Sequence, residues 1–185
     1  TICVANVGDR VVQRALHHRL LPHVEAVSLP CSFAYRPSLS YRDAWAAVAR
    51  HRASGFQQVL ETDVEKCFDR IRIELVREMI TQVVRDQPLI ELVLECLTAA
   101  HEGAADLGLP QGAAISPCLC NLVLTDMDRA LARRHMRLVR YADDMVVMCR
   151  SHGGVERALE RAEEALASLG LSLNRRKTQV SDFRS

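Results

Sequence analysis

The stretch from Leu138 to Val147, LVRYADDMVV, limits what this chain can become more than any other. Two short apolar runs, Met136 to Tyr141 and Met145 to Cys149, are joined by Ala142, Asp143 and Asp144 and read as a β-hairpin with acids at its tip. A turn tolerates aspartate, because an Asx side chain can bond to the backbone two residues on. The pair alone therefore establishes no function.

A chain of 185 residues, 49% hydrophobic and 25% charged, can bury one sizeable core and fits one domain, or a domain with a fragment of another. With 24 basic and 23 acidic residues the formal net charge is only +1, so any nucleic-acid partner has to be argued locally. The seven cysteines (Cys3, Cys31, Cys67, Cys96, Cys118, Cys120 and Cys149) include no CxxC pair. They read as small buried residues in a reducing compartment, the cytoplasm, and not as zinc ligands or a disulfide framework. No stretch reaches the length of a membrane span, and the first residues lack a signal-peptide layout. The chain starts without Met, where a strand could already be under way, which reads as a fragment of a longer protein.

Residues 9–24 have helical spacing with Val12, Ala15, Leu16 and Leu20 on one side. His17, His18 and His23 fall there without an HExxH pattern, so they read as a solvated face. In CSFAYRPSLSYR, Arg36 precedes Pro37 and is pushed toward extended geometry; taken alone it is a surface arginine. Residues 57–63, QQVLETD, read as an alternating strand ending on Asp63. An acid there is an ordinary terminator, and also where open α/β sheets place functional groups. A helix then resumes with Ile73, Val76, Ile80 and Val83 or Val84 inward; Pro88 breaks it, and 89–100 form a second, apolar helix. The loop 107–116, LGLPQGAAIS, leads into a helix with Ser116 as its N-cap and Pro117 at its first position. A structural loop explains Pro110 and Gly112 but gives Gln111 no job. After Gly153 and Gly154 a helix turns Val155, Leu159, Ala162, Leu166 and Leu169 inward and ends at Gly170. The last segment, LSLNRRKTQV, reads as an amphipathic strand carrying Arg175, Arg176 and Lys177.

From residue 57 onward the order is strand, helices, helix, hairpin, helix, strand. A split βαβ sheet with helices on one face brings the end of the first strand beside the hairpin tip, and Asp63 beside Asp143 and Asp144. Carboxylates about 4 Å apart repel by roughly 4 kcal/mol at an effective dielectric near 20. Mg²⁺ relieves that cluster and keeps room for substrate phosphates. Two such ions can activate an attacking hydroxyl and stabilise a leaving pyrophosphate.

Five segments in order, SFAYRPSLS, ETDVEKCFDRI, LGLPQGAAISPCLCNLVL, RYADDMVVMCRS and GLSLNRRKTQV, resemble the reverse transcriptases of the group II intron-like lineage. The resemblance covers essentially the whole chain. It implies an α/β (α+β) fold: the palm of a right-hand polymerase, with a split βαβ antiparallel sheet packed on helices over 57–185, part of the fingers over 1–56, and no thumb. It implies an RNA-directed DNA polymerase in which Asp63, Asp143 and Asp144 hold two Mg²⁺ ions, with Mn²⁺ able to substitute, and Val64 lends a backbone carbonyl. Phe68 would exclude a ribose 2′-OH, and Gln111 with Gly112 would line the nucleotide pocket. Arg36 would reach triphosphate oxygens, Lys177 would sit near the pyrophosphate, and Tyr141 and Ala142 would flank the primer end. Asp69 would be a structural acid. An RNA template, a DNA or RNA primer and dNTPs are the implied partners, with no membrane.

There are departures from the family pattern. The basic-Pro-hydrophobic-Gly stretch that precedes TICVANVGDRVVQ in the family is missing, no primer-grip segment follows the last strand, and Cys67 stands where an aromatic is usual. The short link TDMDRALARRHMRLVRYADD is more similar to reverse transcriptases that work with the CRISPR adaptation integrase than to intron maturases, so that integrase or a group II intron RNA becomes a further partner. Two alternatives stay open: a palm kept as an RNA-binding, maturase-type scaffold, and a metal-dependent nuclease or nucleotidyl cyclase. The LPQG loop and its helix are unexplained by the last two.

Overall fold

A computed structural model describes residues 6–99 and 108–183. Cys3 and a strand at the chain start lie outside the described residues, as do Ala100 and Leu107 at the edges of two expected segments. The described elements are α1 (Val7–Val27), α2 (Tyr41–Ala53), β1 (Gln58–Asp63), α3 (Cys67–Arg70), α4 (Ile73–Val83), α5 (Gln87–Ala99), α6 (Ser116–Leu131), β2 (Met136–Tyr141), β3 (Asp144–Cys149), α7 (His152–Ser168) and β4 (Gln179–Asp182). They gather into two compact units that interleave in sequence: Thr1–Ser28 with Lys66–Val123, and Leu29–Glu65 with Leu124–Ser185. The segments 1–56 and 57–185 each contribute to both.

In the first unit α1, α4 and α5 pack on one another. The buried side of α1 is Gln13, Leu16, Leu20 and Val24, whereas Val12 and Ala15 are exposed. The expected stripe was rotated because it assumed an apolar residue at every inward position. Gln13 is tolerated there because its Oε1 accepts the Ala114 N–H at 3.2 Å. On α4, Leu75, Val76, Met79 and Ile80 are buried. Pro88 lies in the first turn of α5, where its missing N–H has no intrahelical partner to lose. Ser116 is not a cap. The Ile115 carbonyl already accepts the Leu119 N–H at 3.2 Å, and the Ser116 hydroxyl donates to the Pro110 carbonyl at 2.7 Å. Beyond Val123, α6 runs on into the second unit.

The second unit is built on a four-stranded antiparallel sheet in the order β2-β3-β1-β4. Helices lie on both of its faces, not on one. Val139 packs with Ala44 and Ala47 of α2, while Gly154 of α7 approaches the sheet so closely that a Cβ there would stand 3.0 Å from the Cys149 Cβ. Val139 pairs with Val146, three residues from Cys149, and an odd step crosses the sheet. Covering both faces removes the expected alternation from β1, where only Glu61 is exposed. Gly153 and Gly154 accordingly lie inside α7, not before it. Leu159 is half-buried and Ala158 takes the inward place. Gly170 ends α7 as expected, with φ of 72°. Its N–H donates to Ala167 and that of Leu171 to Leu166, the paired bonds of a Schellman motif.

The closing segment differs from its reading. Only Leu173 forms an isolated bridge, to Val64. Asn174 then bends the chain: its carbonyl accepts from Lys177 and Thr178, and its side chain accepts the Arg176 N–H at 3.2 Å. Asn favours such local bonds. The edge strand β4 therefore starts at Gln179, and Arg175, Arg176 and Lys177 stand on a turn.

Among the described cysteines, Cys67, Cys118, Cys120 and Cys149 are buried and Cys31 and Cys96 half-buried, all as free thiols. Burial pushes the Cys31 and Cys118 thiols up to about 12. Cys67 packs its sulfur 3.5 Å from that of Cys120. No described helix is long and apolar enough to cross a membrane.

Candidate active site

The site follows from strand register. β1 and β3 pair so that Asp63 stands opposite Asp144. The Val64 N–H donates to the Asp143 carbonyl at 3.2 Å, which makes Val64 and Asp143 a hydrogen-bonded pair. Asp63 and Asp144 are then the neighbouring non-bonded pair, the kind whose side chains come closest, at Cα separations of about 4.5 Å. Like charges directly opposite destabilise a sheet, so this placement works against the fold.

The hairpin tip is tighter than three residues. Asp144 already belongs to β3, and the loop is Ala142 and Asp143 alone. Ala142 takes a left-handed φ of 60° and Asp143 does not, the II′ pattern that normally calls for glycine at the first position. The strain is held by Arg140, which sequence reasoning missed. Its guanidinium is fully buried; Nε and Nη2 each donate to Asp128 at 2.7 Å, and Nη1 donates to the Ala142 carbonyl at 2.8 Å. Asp128 comes from the second half of α6, in the same unit. The signal was present: Arg140 interrupts an apolar strand, and Asp128 sits next to Met127 on the apolar stripe of a helix.

The Asp63 carboxylate is buried. Its Oδ2 accepts from Lys177 Nζ at 2.7 Å and from Asn174 Nδ2 at 3.5 Å, while Oδ1 has no hydrogen-bond partner. Burial raises the Asp144 carboxyl above its ordinary range; the Asp143 charge adds to this, Lys177 opposes it, and Asp63 contributes least. The hydrogen bond from Lys177 to Asp63, helped by the charges of Asp63, Asp144 and Asp143, raises the lysine and keeps it protonated. Among the described residues no three His, Cys, Asp or Glu side chains converge on one point. An unpartnered buried carboxylate oxygen, on a residue paired across the sheet with a second carboxylate, is nonetheless the kind of oxygen donor a hard divalent cation takes.

Beside the carboxylates a cleft of about 390 Å³ opens on the α2 side of the sheet, lined by Tyr41, Trp45, Val139, Tyr141 and Val146 and bounded by Asp63, Asp144 and Lys177. Tyr41 lies edge-on to both Trp45 (6.2 Å) and Tyr141 (5.8 Å). Of the expected residues, the second unit thus gathers Asp63, Asp143, Asp144, Val64, Tyr141, Ala142 and Lys177. Arg36 is also there, but Nη1 donates to the Leu29 and Ser32 carbonyls, both at 2.8 Å, so it ties down its own loop.

Phe68, Gln111 and Gly112 belong to the first unit. Gly108, with φ of 79°, lies where a Cβ would meet the Phe68 carbonyl at 2.7 Å. The Leu109 N–H donates to that carbonyl, and Gln111 Nε2 donates to Asp69 Oδ1 at 2.8 Å. The LPQG loop is therefore fastened to α3, in part through Asp69.

The family described as reverse transcriptase (RNA-dependent DNA polymerase) matches residues 1–183. The chain is 32% identical over 136 residues to the COX1/OXI3 intron 1 protein of Saccharomyces cerevisiae, covering 70% of this chain and 16% of that one. It is 25% identical to the group II intron-encoded protein LtrA of Lactococcus lactis (75% and 24% covered) and 28% identical to the retron Mx65 reverse transcriptase of Myxococcus xanthus (90% and 42% covered). It spans less than half the length of these relatives. Telomerases from Candida albicans (TM-score 0.70, 14% identity, 94% of this chain and 35% of that one) and Candida tropicalis (TM-score 0.72, 15% identity, 91% and 33%) share its fold.

Proposed function

This chain belongs to the reverse transcriptase family, and on that premise we propose that it adds deoxynucleotides to a primer 3′-OH on an RNA template, with the carboxylate end of its sheet as the reacting centre. The observation that carries the reading is the buried, unpartnered Oδ1 of Asp63 opposite Asp144.

Asp63 Oδ1, Asp144 and Asp143 would hold divalent cations, Mg²⁺ or Mn²⁺, with Val64 offering its carbonyl. Bound there, the cations supply Lewis acidity toward the primer hydroxyl and the leaving pyrophosphate. The protein's own groups do the rest. Lys177, with its side chain 64% exposed, is free to turn from Asp63 toward the phosphates of an incoming nucleotide, releasing Oδ2 as it does so. A lysine ammonium carries its charge at neutral pH without help from a neighbouring acid, so it would bring a full positive charge to the departing pyrophosphate. Tyr141 and the rigid Ala142 turn would seat the primer end. Phe68 would exclude a 2′-OH while Gln111 and Gly112 would line the nucleotide pocket, and the Arg36 guanidinium would turn toward triphosphate oxygens when a nucleotide is bound. We place the protein in the cytoplasm. The short stretch 125–144, TDMDRALARRHMRLVRYADD, is the feature that favours partnership with a CRISPR adaptation integrase, with a group II intron role as the alternative.

Primer extension on poly(rA)/oligo(dT) with Mg²⁺ and dTTP tests the chemistry. Asp143→Asn is expected to abolish extension, a loss of about 1000-fold or more, with an unchanged melting curve. Extension persisting in that variant would sink the assignment. Phe68→Ala is expected to admit ribonucleotides; continued exclusion would remove Phe68 from its role.

A further inference from the structure

The other end of the same sheet carries the opposite charge. Gln58, Met136 and Cys149 mark that end. Five residue steps, about 17 Å, separate it from the aspartates. A cleft of about 470 Å³ opens there between the end of α2 and the short link before β2, and Arg50, His51, Arg133, Arg134 and Arg137 line it with no acidic residue among its walls.

These groups are positioned by rings and carbonyls, among them the Ala130 carbonyl that accepts from Arg133 Nε at 3.2 Å, and not by acids. Arg137 and Arg150 each place the guanidinium carbon 4.4 Å from the Phe56 ring centroid. Gly55, with φ of 85°, leaves room for Arg150, whose Nη1 would lie 2.9 Å from a Cβ at that position. Arg137 Nη1 donates to the carbonyls of Arg133, Arg134 and Met136, fixing the link. Arg50, Arg133 and Arg134 are exposed, and among the described residues none of these five arginines is in an ion pair. Burial, and to a lesser degree the charges of Arg137 and Arg50, hold the His51 imidazole below its ordinary range. A chain with net charge of only +1 concentrates uncompensated cations where no reacting group stands.

We propose that this cleft is a second nucleic-acid contact, remote from the reacting centre, which grips the phosphate backbone of a structured RNA. Guanidinium forks match phosphate oxygens, and their unpaired state leaves the charge available to displace counterions. The choice of RNA over another polyanion rests on the polymerase reading.

The test is the salt dependence of binding, by fluorescence anisotropy, of a labelled RNA hairpin with a blocked 3′ end. Arg50, Arg133 and Arg134 are replaced together by Gln. The slope of log affinity against log salt is expected to fall by about two to three units, with affinity near 0.1 M salt at least about tenfold weaker. Extension of a short primer–template should be unchanged. The triple Lys variant should recover most of the slope. An unchanged slope, no recovery with Lys, or capture of poly-glutamate that disappears in the Gln variant would overturn the proposal, the last in favour of an acidic protein. If the Gln triple does not fold, R134Q alone is read, with an expected change of about one unit. Absent primer extension with a normal slope difference would count against the polymerase reading and leave the cleft standing.

Discussion

Two cation–carboxylate pairs in one unit have the same 2.7 Å contact and opposite characters. Arg140 and Asp128 are 1% and 0% exposed, and both carboxylate oxygens are engaged. Lys177 is 64% exposed, and it engages one oxygen of Asp63 while the other is left bare. The first pair is closed: its valences are used up inside the fold, and its surplus N–H holds the hairpin turn. The second is open. The length of an ion pair says nothing about its role; the number of unused donors and acceptors around it does.

Breaking the closed pair should have the largest effect on stability. Asp128→Ala leaves a buried guanidinium without its anion and is expected to destabilise by about 3–5 kcal/mol, which urea unfolding would show as a lowered midpoint. Asp63→Asn, the matching cut in the open pair, should leave that midpoint nearly in place while primer extension disappears. Similar unfolding shifts for the two variants would erase the distinction drawn here.

A smaller effect sharpens it. Ala142→Gly relieves the left-handed turn that Arg140 clamps and is expected to gain up to about 1 kcal/mol. Combined with Asp128→Ala it should recover part of that variant's loss, because a relaxed turn needs less holding. Strict additivity in the double variant would mean that the clamp and the turn are uncoupled.

The smallest effect is one of pH. The Asp144 carboxyl is raised above its ordinary 3.8, so the protonated form suits the fold and the ionised form does not. The stability this group contributes is present below pH 3.8 and is lost as pH rises through the raised value. Asp144→Asn should therefore be slightly more stable than the parent at pH 7, with the difference vanishing in acid. A variant less stable at neutral pH would show that Asp144 supports the fold.

Local patterns were legible wherever one segment decides its own shape. The hairpin, the strand ending on Asp63, the helix after Pro117 and the Gly170 stop all follow from spacing and from residues with strong backbone preferences. Partnerships across the chain were harder to read. Arg140 in a strand looks like a surface residue until Asp128, twelve positions earlier, is placed beneath it. Lys177 reached Asp63 only because Asn174 diverted what alternation had presented as a strand. The buried Gln13 was invisible because its partner is the backbone of Ala114, which carries no sequence signal. That Asp63 stands beside Asp144 followed from the expected sheet order; the role proposed for these carboxylates comes from the family resemblance, which added what spacing alone left open.

The hydrogen bond from Val64 to Asp143 bears on how such a site survives drift. The separation between Asp63 and Asp144 is gauged by strand spacing, a length that peptide geometry keeps nearly constant, and not by the side chains that cover the sheet. Substitution over most of the domain can then proceed without detuning the acids, and telomerases at 14–15% identity still superpose on this fold. Only changes that slip the register of β1 against β3, or open the Ala142 turn, reset the gauge.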